Sequence, residues 1–268
     1  RAIQNLINIA QDDKVKAFIC TRDLKEEEYV NSHYVIMATK KGVVKKTPLE
    51  QYSRPRQNGI IAINIREGDE LLEAKLTTGS SQIFLGLKSG KAIRFEENKT
   101  RPMGRNSSGV RGITLAGETD EVIGMVSVHN FDEDILVVSE NGYGKRSSIE
   151  DYRLTNRGGK GVKTISISDK TGGLVAIKNV SDSDDLMIIN KSGIAIRMSV
   201  EDLRTMGRAT QGVRLINLKG DDSIAAVAKV MKEEESLDDT DLMDMDVQTE
   251  DGTALDTNKN EEPESGDE

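Results

Sequence analysis

The chain has 268 residues and a formal net charge of −9, but its charges are unevenly distributed. Residues 232–268 hold sixteen Asp and Glu against two Lys, a net charge of −14, which leaves +5 on residues 1–231, and a mildly basic body favours an acidic partner. One cysteine (Cys20) and two separated histidines (His33 and His129) argue against disulfides and zinc sites, and no apolar run reaches the roughly 18 residues of a membrane span.

An internal repeat organises residues 1–231. An apolar strand that ends in a two-residue turn recurs four times, and its turn glycines lie 48, 52 and 51 residues apart: Gly42, Gly90, Gly142 and Gly193. A second glycine follows in each unit, at intervals of 50, 52 and 51 residues: Gly59, Gly109, Gly161 and Gly212. Two markers with the same period predict four successive structural units.

Each unit is predicted to consist of short β-strands. The first glycine lies where a tight hairpin needs a positive φ. The segment after it alternates between the two faces of a strand, as in Ile93, Arg94 and Phe95, and a second alternating segment follows the second glycine, as in Ile165 and Ile167. Because no helical pattern intervenes, we expect an all-β, propeller-like array with about four strands in each unit.

The two ends of the chain depart from this repeat. Ile7 and Ile9, followed by an acidic turn, match the end of the fourth unit, so we expect the chain to begin inside a unit as a fragment of a longer protein. Residues 232–268 lack periodic apolar residues and are expected to be disordered. The expected division is a β domain over residues 1–231 and an acidic tail over residues 232–268.

Two sets of basic residues recur with the repeat and are candidates for binding nucleic acid. The first set lies four residues after each turn glycine: Lys46, Arg94, Arg146 and Arg197. The second set lies in the loops around the second glycine: Arg56, Arg105, Arg111, Arg157, Lys160, Lys163, Arg208 and Arg214. Small loop residues let backbone amides approach a phosphate closely, and Arg or Lys neutralises its charge.

These two sets predict contacts with a duplex backbone. The chain has no Trp and only nine Phe and Tyr, which leaves few rings for stacking single-stranded bases. The alternative for the first set is protection of open strand edges by charge. The alternative for the second set is a series of solvated Gly-rich turns.

Enzyme motifs do not fit this sequence. Gly142-Tyr143-Gly144 begins like a dinucleotide-binding loop but leads into a strand, and the segment Gly86–Lys91 is one residue short of a P-loop and lies in a hairpin. Neither histidine lies beside a recognisable nucleophile motif. We therefore expect no catalytic residue, no metal site and no bound cofactor in this chain.

The repeats resemble a known family. Three segments carry the likeness, namely Met103–Ile113, Asn141–Arg146 and Met206–Val213. They are similar to the C-terminal domain of the A subunit of bacterial DNA gyrase, and the resemblance covers residues 1–231. It implies a β-pinwheel, a propeller-like disc of four-stranded blades that exchange strands and wrap duplex DNA around a basic rim, with four complete units and part of a preceding one in this chain.

A box-like motif departs from the signature of that family. The signature runs Gln, basic, Arg, Gly, Gly, basic, Gly and lies in the first blade of the family. The corresponding residues here lie in the third complete unit: Thr155, Asn156, Arg157, Gly158, Gly159, Lys160 and Gly161. Because the first two positions differ, we expect the true box to lie upstream of this chain.

The resemblance also implies a function. It indicates a sequence-independent DNA-wrapping module, itself non-catalytic, of an ATP-dependent type II topoisomerase that introduces negative supercoils. It places ATP and magnesium outside this chain, and it implies as partners double-stranded DNA, the B subunit of gyrase, and a second A subunit in an A2B2 complex. The expected location is the bacterial cytoplasm, on the chromosome.

Two alternatives stay open. One is the C-terminal domain of the A subunit of topoisomerase IV, in which fewer and more degenerate blades serve substrate choice. The other is a propeller-like scaffold whose basic rim binds an acidic protein.

Overall fold

Short β-strands are the main secondary structure in the part of the chain that the structure describes. The computed structural model describes residues 13–232, so the acidic segment from residue 233 onward and the first twelve residues lie outside the described part. One α-helix, α1 (Glu27–Ser32), precedes the first unit and packs its buried Tyr29 and Val30 against it. No helix in residues 13–232 is long and apolar enough to cross a membrane.

The strands follow the four units in chain order. In the first unit they are β1 (Tyr34–Thr39), β2 (Val43–Pro48) and β3 (Leu71–Thr77). In the second they are β4 (Gln82–Leu87), β5 (Lys91–Glu96), β6 (Val110–Arg111) and β7 (Val122–Val128). In the third they are β8 (Asp134–Ser139), β9 (Tyr143–Ser148), β10 (Leu154–Thr155), β11 (Val162–Lys163) and β12 (Leu174–Val180). In the fourth they are β13 (Asp184–Asn190), β14 (Ala195–Ser199), β15 (Val213–Arg214) and β16 (Ile224–Met231). Three 3₁₀ turns follow the hairpins of the first three units: Leu49–Tyr52, Glu97–Lys99 and Ile149–Asp151.

Each unit forms one small sheet, called a blade, around a hairpin. The innermost strand pairs with the first strand of the hairpin, which gives the orders β3-β1-β2, β7-β4-β5, β12-β8-β9 and β16-β13-β14. The four turn glycines have φ between 78° and 88°. The predicted hairpins and their positive-φ glycines are therefore confirmed.

Neighbouring units exchange their outermost strands. β6 belongs to the second unit but pairs with β2 of blade 1. In the same way, β10 and β11 pair with β5 of blade 2, and β15 pairs with β9 of blade 3. This arrangement confirms the all-β pinwheel. Blade 4 has three strands, and no residue within 13–232 pairs with the outer edge of β14.

The second glycine of units two to four lets the exchanged strand approach its acceptor. At Gly161 the φ is 71°, and a Cβ would lie 2.6 Å from the carbonyl oxygen of Ala92. At Gly212 a Cβ would lie 2.5 Å from the carbonyl oxygen of Gly144. Both the dihedral angle and the close approach exclude an L side chain.

The strand that was expected after this glycine is shorter than its alternation suggested. Only two residues pair in each of β6, β11 and β15, and residues 60–65 of the first unit form no strand. The chain must turn here from one blade to the next, and the amides of Gly112 and Ile113 donate to the same oxygen, that of Gly42, at 2.8 and 3.2 Å. Turning removes the backbone from the ladder, although Ile113, Ile165 and Ile216 still enter the core.

The core lies between the blades. One cluster of buried residues joins blades 1 and 2, a second joins blades 2 and 3, and a third joins blades 3 and 4. The innermost strands contact one another in the order β3, β7, β12 and β16. Each blade is therefore stabilised by its neighbours, and the outermost strands remain free to present side chains to solvent.

Candidate nucleic-acid interface

Lys46, the first of the four hairpin residues, does not lie on an exposed surface. Lys46 is 4% exposed, and its Nζ lies 2.9 Å from Oε1 of the fully buried Glu97 and 4.2 Å from the centre of the Tyr34 ring. Lys46 was predicted to contact a duplex backbone, but its ammonium is enclosed within the protein. Because Glu97 belongs to the next unit, the strand face that carries Lys46 is covered by that unit.

Arg94 joins its blade to the unit that follows. Its Nε donates to Oε1 of Gln82 at 2.6 Å, and its Nη1 donates to the carbonyl oxygens of Ile149 and Tyr152 at 2.8 and 2.9 Å. Burial holds the pKa of the Arg94 guanidinium below its usual value. Three acceptors therefore engage a side chain that was predicted to meet phosphate.

The other two hairpin arginines are also paired within the protein. The Arg146 side chain is 12% exposed and binds the carboxylates of Asp182 and Asp134. The Arg197 side chain is 41% exposed, and its Nε donates to Asp185 at 2.7 Å. The hairpin set thus holds strands and units together, and only Arg197 is substantially exposed.

A second set of bridges involves the loop arginines. Each of them donates from Nη1 to the carbonyl oxygen that lies two residues after the second glycine of the preceding unit. The pairs are Arg105 with Ile61 at 2.9 Å, Arg157 with Arg111 at 2.9 Å, and Arg208 with Lys163 at 2.7 Å. A guanidinium has five N–H donors, so these bridges fix its orientation and leave donors for a further anion.

The remaining predicted residues are exposed. These are Arg56, Arg111, Lys160, Lys163 and Arg214. Arg214 binds the Tyr143 hydroxyl and Asn217, whereas the side chains of the other four form no hydrogen bond or ion pair with a described residue. Arg111, Lys163 and Arg214 lie on the exchanged strands β6, β11 and β15, at the outer edge of blades 1 to 3.

Three further basic residues on this edge escaped the sequence prediction. Arg101, Arg153 and Arg204 are exposed, and their side chains form no bond with a described residue. Each lies one residue before a parallel pairing with a hairpin strand: Pro102 with Lys46, Leu154 with Arg94, and Thr205 with Arg146. They lie 52 and 51 residues apart, so the period of the repeat could have identified them.

Together these side chains form what we call the outer rim: Arg101, Arg111, Arg153, Lys163, Arg204 and Arg214. They share exposure and an outer-edge position in blades 1 to 3. A row of cations at repeated spacing is suited to a polyanion such as the phosphate backbone of a duplex. Within residues 13–232, no three His, Cys, Asp or Glu are grouped as metal ligands would be.

The box-like loop rests on the crossover between blades 1 and 2. The Gly158 amide donates to the Gly112 oxygen at 2.6 Å, and the oxygens of Gly158 and Gly159 accept from the Oγ1 and amide of Thr114 at 2.7 and 2.9 Å. A Cβ on Gly159 would lie 3.5 Å from Ile93. The paired glycines therefore seat the loop closely on the protein, while Lys160 stays exposed.

The loops of the second and fourth units that correspond to the box-like loop are held by buried lysines. Nζ of Lys45 binds the oxygens of Ala62, at 2.7 Å, and Arg105, and Nζ of Lys145 binds the Gly207 oxygen at 2.6 Å and Thr210 Oγ1 at 3.1 Å. Burial lowers the pKa of each ammonium to about 8. The same strand position in blade 2 is the apolar Ile93, so the three loops are supported by different chemistry.

Comparison with known families identifies the repeats. The family described as "DNA gyrase C-terminal domain, beta-propeller" matches residues 33–78, 88–129, 133–181 and 184–231. The A subunit of DNA gyrase from Staphylococcus aureus (strain NCTC 8325 / PS 47) is 44% identical over 252 residues, which cover 94% of this chain and 28% of the relative. The chain thus spans a little over a quarter of the length of that relative.

Two solved structures share the fold. The C-terminal domain of DNA topoisomerase IV superposes with a TM-score of 0.79 and 24% identity, covering 86% of this chain and 70% of the other. The DNA gyrase A C-terminal domain superposes with a TM-score of 0.75 and 24% identity, covering 86% of this chain and 75% of the other. At this level of identity the superpositions bear on the fold alone.

Proposed function

We propose that this chain, which belongs to the family of DNA gyrase C-terminal domains, binds duplex DNA without sequence preference and wraps it along the outer rim. One observation carries this proposal. Exposed basic side chains recur at the outer edge of blades 1 to 3 with the period of the repeat, and all of them except Arg214 form no hydrogen bond or ion pair with a described residue. Phosphates recur along a duplex irrespective of base sequence, and such a row of cations matches them.

Wrapping requires several contacts that act together. Bending a duplex of 20 to 30 base pairs by 40° to 90° costs on the order of 1 to 6 kcal/mol. This cost exceeds the binding free energy that a single exposed charge contributes. Rim residues in blades 1, 2 and 3 distribute the contacts along a curved path. The inter-unit bridges of Arg94, Arg157 and Arg208 support this by fixing the blades relative to one another.

Membership of the family supports a wider role. We propose that the chain serves the A subunit of DNA gyrase in the bacterial cytoplasm, on the chromosome, and supports ATP-dependent negative supercoiling by a complex of two A and two B subunits. Cleavage of DNA and the binding of ATP and magnesium are assigned to other parts of that complex. The 44% identity to a gyrase subunit favours this role over that of topoisomerase IV.

The proposal is tested by duplex affinity as a function of salt. The 268-residue chain is compared with the double variant Arg153→Ala/Arg204→Ala, and with the control Arg22→Ala/Lys25→Ala, which removes two exposed charges ahead of the first blade. The rim variant should lower the slope of log affinity against log salt by about 0.9 for each lost phosphate contact. Equal slopes for the two variants would contradict the proposed path, and absence of duplex binding even at 50 mM salt would favour the acidic-protein scaffold.

A further inference from the structure

Blade 3 carries a cluster on its outer edge that the other blades lack. β9 and β15 place Tyr143 directly opposite Arg214. The same cross-strand position holds Val43 with Arg111 in blade 1 and Lys91 with Lys163 in blade 2. Only blade 3, among the exchanged pairs of residues 13–232, has a phenolic hydroxyl beside the rim cation.

The hydroxyl of Tyr143 is held by the guanidinium of Arg214. Nε and Nη2 of Arg214 donate to it at 3.3 and 2.9 Å, and Nη1 donates to Oδ1 of Asn217 at 3.1 Å. These bonds use three of the five N–H groups of the guanidinium, which leaves one on Nη1 and one on Nη2. A free N–H on each of these two nitrogens can donate to the oxygens of a phosphate.

A second cation is held over the same ring. Nζ of Lys170 lies 5.4 Å from the centre of the Tyr143 ring. The loop that carries Lys170 is fixed by Asn141, whose Nδ2 donates to the oxygens of Asp169 and Lys170 at 3.1 and 3.2 Å. The Arg214 guanidinium, by hydrogen bonding and by charge, holds the pKa of Tyr143 below its usual value, and Lys170 adds to this shift.

These side chains line one open cavity of about 450 Å³, whose lining also includes the carboxylates of Asp221 and Asp222. Asp222 accepts from Asn190 Nδ2 and Ser192 Oγ at 2.5 and 2.8 Å, in the hairpin turn of the next blade. The near side of the cavity therefore offers two free guanidinium N–H groups, an ammonium and a phenolic O–H. All are donors, and two of the groups are cations.

We propose that Tyr143, Lys170 and Arg214 form a phosphate subsite that takes one phosphodiester of the bound duplex. The inference rests on the proposed function and adds to it a neutral donor, Tyr143, and a cation, Lys170. The Tyr143 hydroxyl accepts two bonds from Arg214 and donates its own proton to a phosphate oxygen. A bound phosphate stabilises the protonated phenol by accepting this bond and by screening both cations, so its arrival raises the pKa of Tyr143.

The direct test follows the Tyr143 hydroxyl by ¹³C NMR of tyrosine Cζ, assigned by loss of its signal in Tyr143→Phe. The 268-residue chain is titrated with alkali alone, with inorganic phosphate and with a duplex. We expect the duplex to raise the pKa of Tyr143 by about one unit. Saturation by inorganic phosphate without a response to the duplex would overturn the assignment to DNA.

Affinity measurements separate this inference from the proposed function. Tyr143→Phe removes a neutral donor, so it should weaken duplex binding by about three- to tenfold without changing the salt slope. Lys170→Ala should lower the slope by about 0.9. Salt-dependent binding that neither substitution alters would overturn the subsite and leave the rim intact, whereas absence of duplex binding by the unaltered chain would overturn both.

Discussion

Arg94 and Arg153 lie close together at the outer edge of blade 2, and their separate replacement distinguishes inter-unit stabilisation from DNA binding. Arg94 lies opposite Leu154 in the β5–β10 pair, directly beside Arg153, so both changes to Ala are made at one place on blade 2. Arg94 donates to Ile149 and Tyr152 of the next unit, whereas the exposed Arg153 side chain bonds to no described residue. Arg94→Ala should therefore lower stability, and Arg153→Ala should lower DNA affinity.

The magnitude follows from the two inter-unit bonds of Arg94. Hydrogen bonds from a charged donor contribute about 1.5 to 3 kcal/mol each, and the lower value applies because water can reach this half-buried site. Arg94→Ala should thus lower the free energy of unfolding by about 3 kcal/mol, and a change of this size lowers the Tm by about 6 to 12 °C in a domain of 150 to 250 residues. Arg153→Ala should change stability by less than about 0.5 kcal/mol.

The assay combines thermal unfolding with duplex affinity measured from 50 to 200 mM salt. We expect Arg153→Ala to lower the salt slope by about 0.9 and Arg94→Ala to leave it unchanged. If Arg94→Ala kept its Tm and lost slope instead, the Arg94 guanidinium would contact phosphate and the inter-unit assignment would be refuted.

Three further changes test the packing that supports the rim. Gly161→Ala should lower stability by at least about 2 kcal/mol, and by more than Gly59→Ala, whose φ of 76° is similar but whose Cβ would meet no atom within 4 Å; equal losses in denaturant unfolding would contradict the close approach. Glu97→Gln leaves the buried Lys46 ammonium without its anion and should lower stability by about 3 to 5 kcal/mol, a loss that added Lys46→Met should partly restore. The pKa of Lys145 is about 8 in the folded protein against an ordinary value of 10.5, so the unfolded chain binds more protons between these values and this group makes stability rise with pH there; Lys145→Met should flatten that rise, and parallel pH profiles would contradict the assignment.

The arrangement of units was available from the sequence because it depends on local conformation. The turn glycines recur with one period, and each needs a positive φ that its own two-residue turn imposes. The apolar residues of the hairpins alternate with period two, which indicates strands without knowledge of their partners. The same reasoning identified the loops around the second glycines, and Arg111 and Lys163 are exposed there as expected.

Which basic side chains meet solvent was decided by the tertiary structure. Alternation assigns Lys46 and Arg94 to one face of a strand, but whether that face is covered depends on the following unit, which supplies Glu97 to Lys46 and two carbonyls to Arg94. Strand exchange then brings Arg153 to the outer edge from a position that looks like an ordinary loop in the sequence. Burial is a property of contacts between units about fifty residues apart, so local periodicity determined the hairpins, whereas the packing of one unit on the next determined the rim.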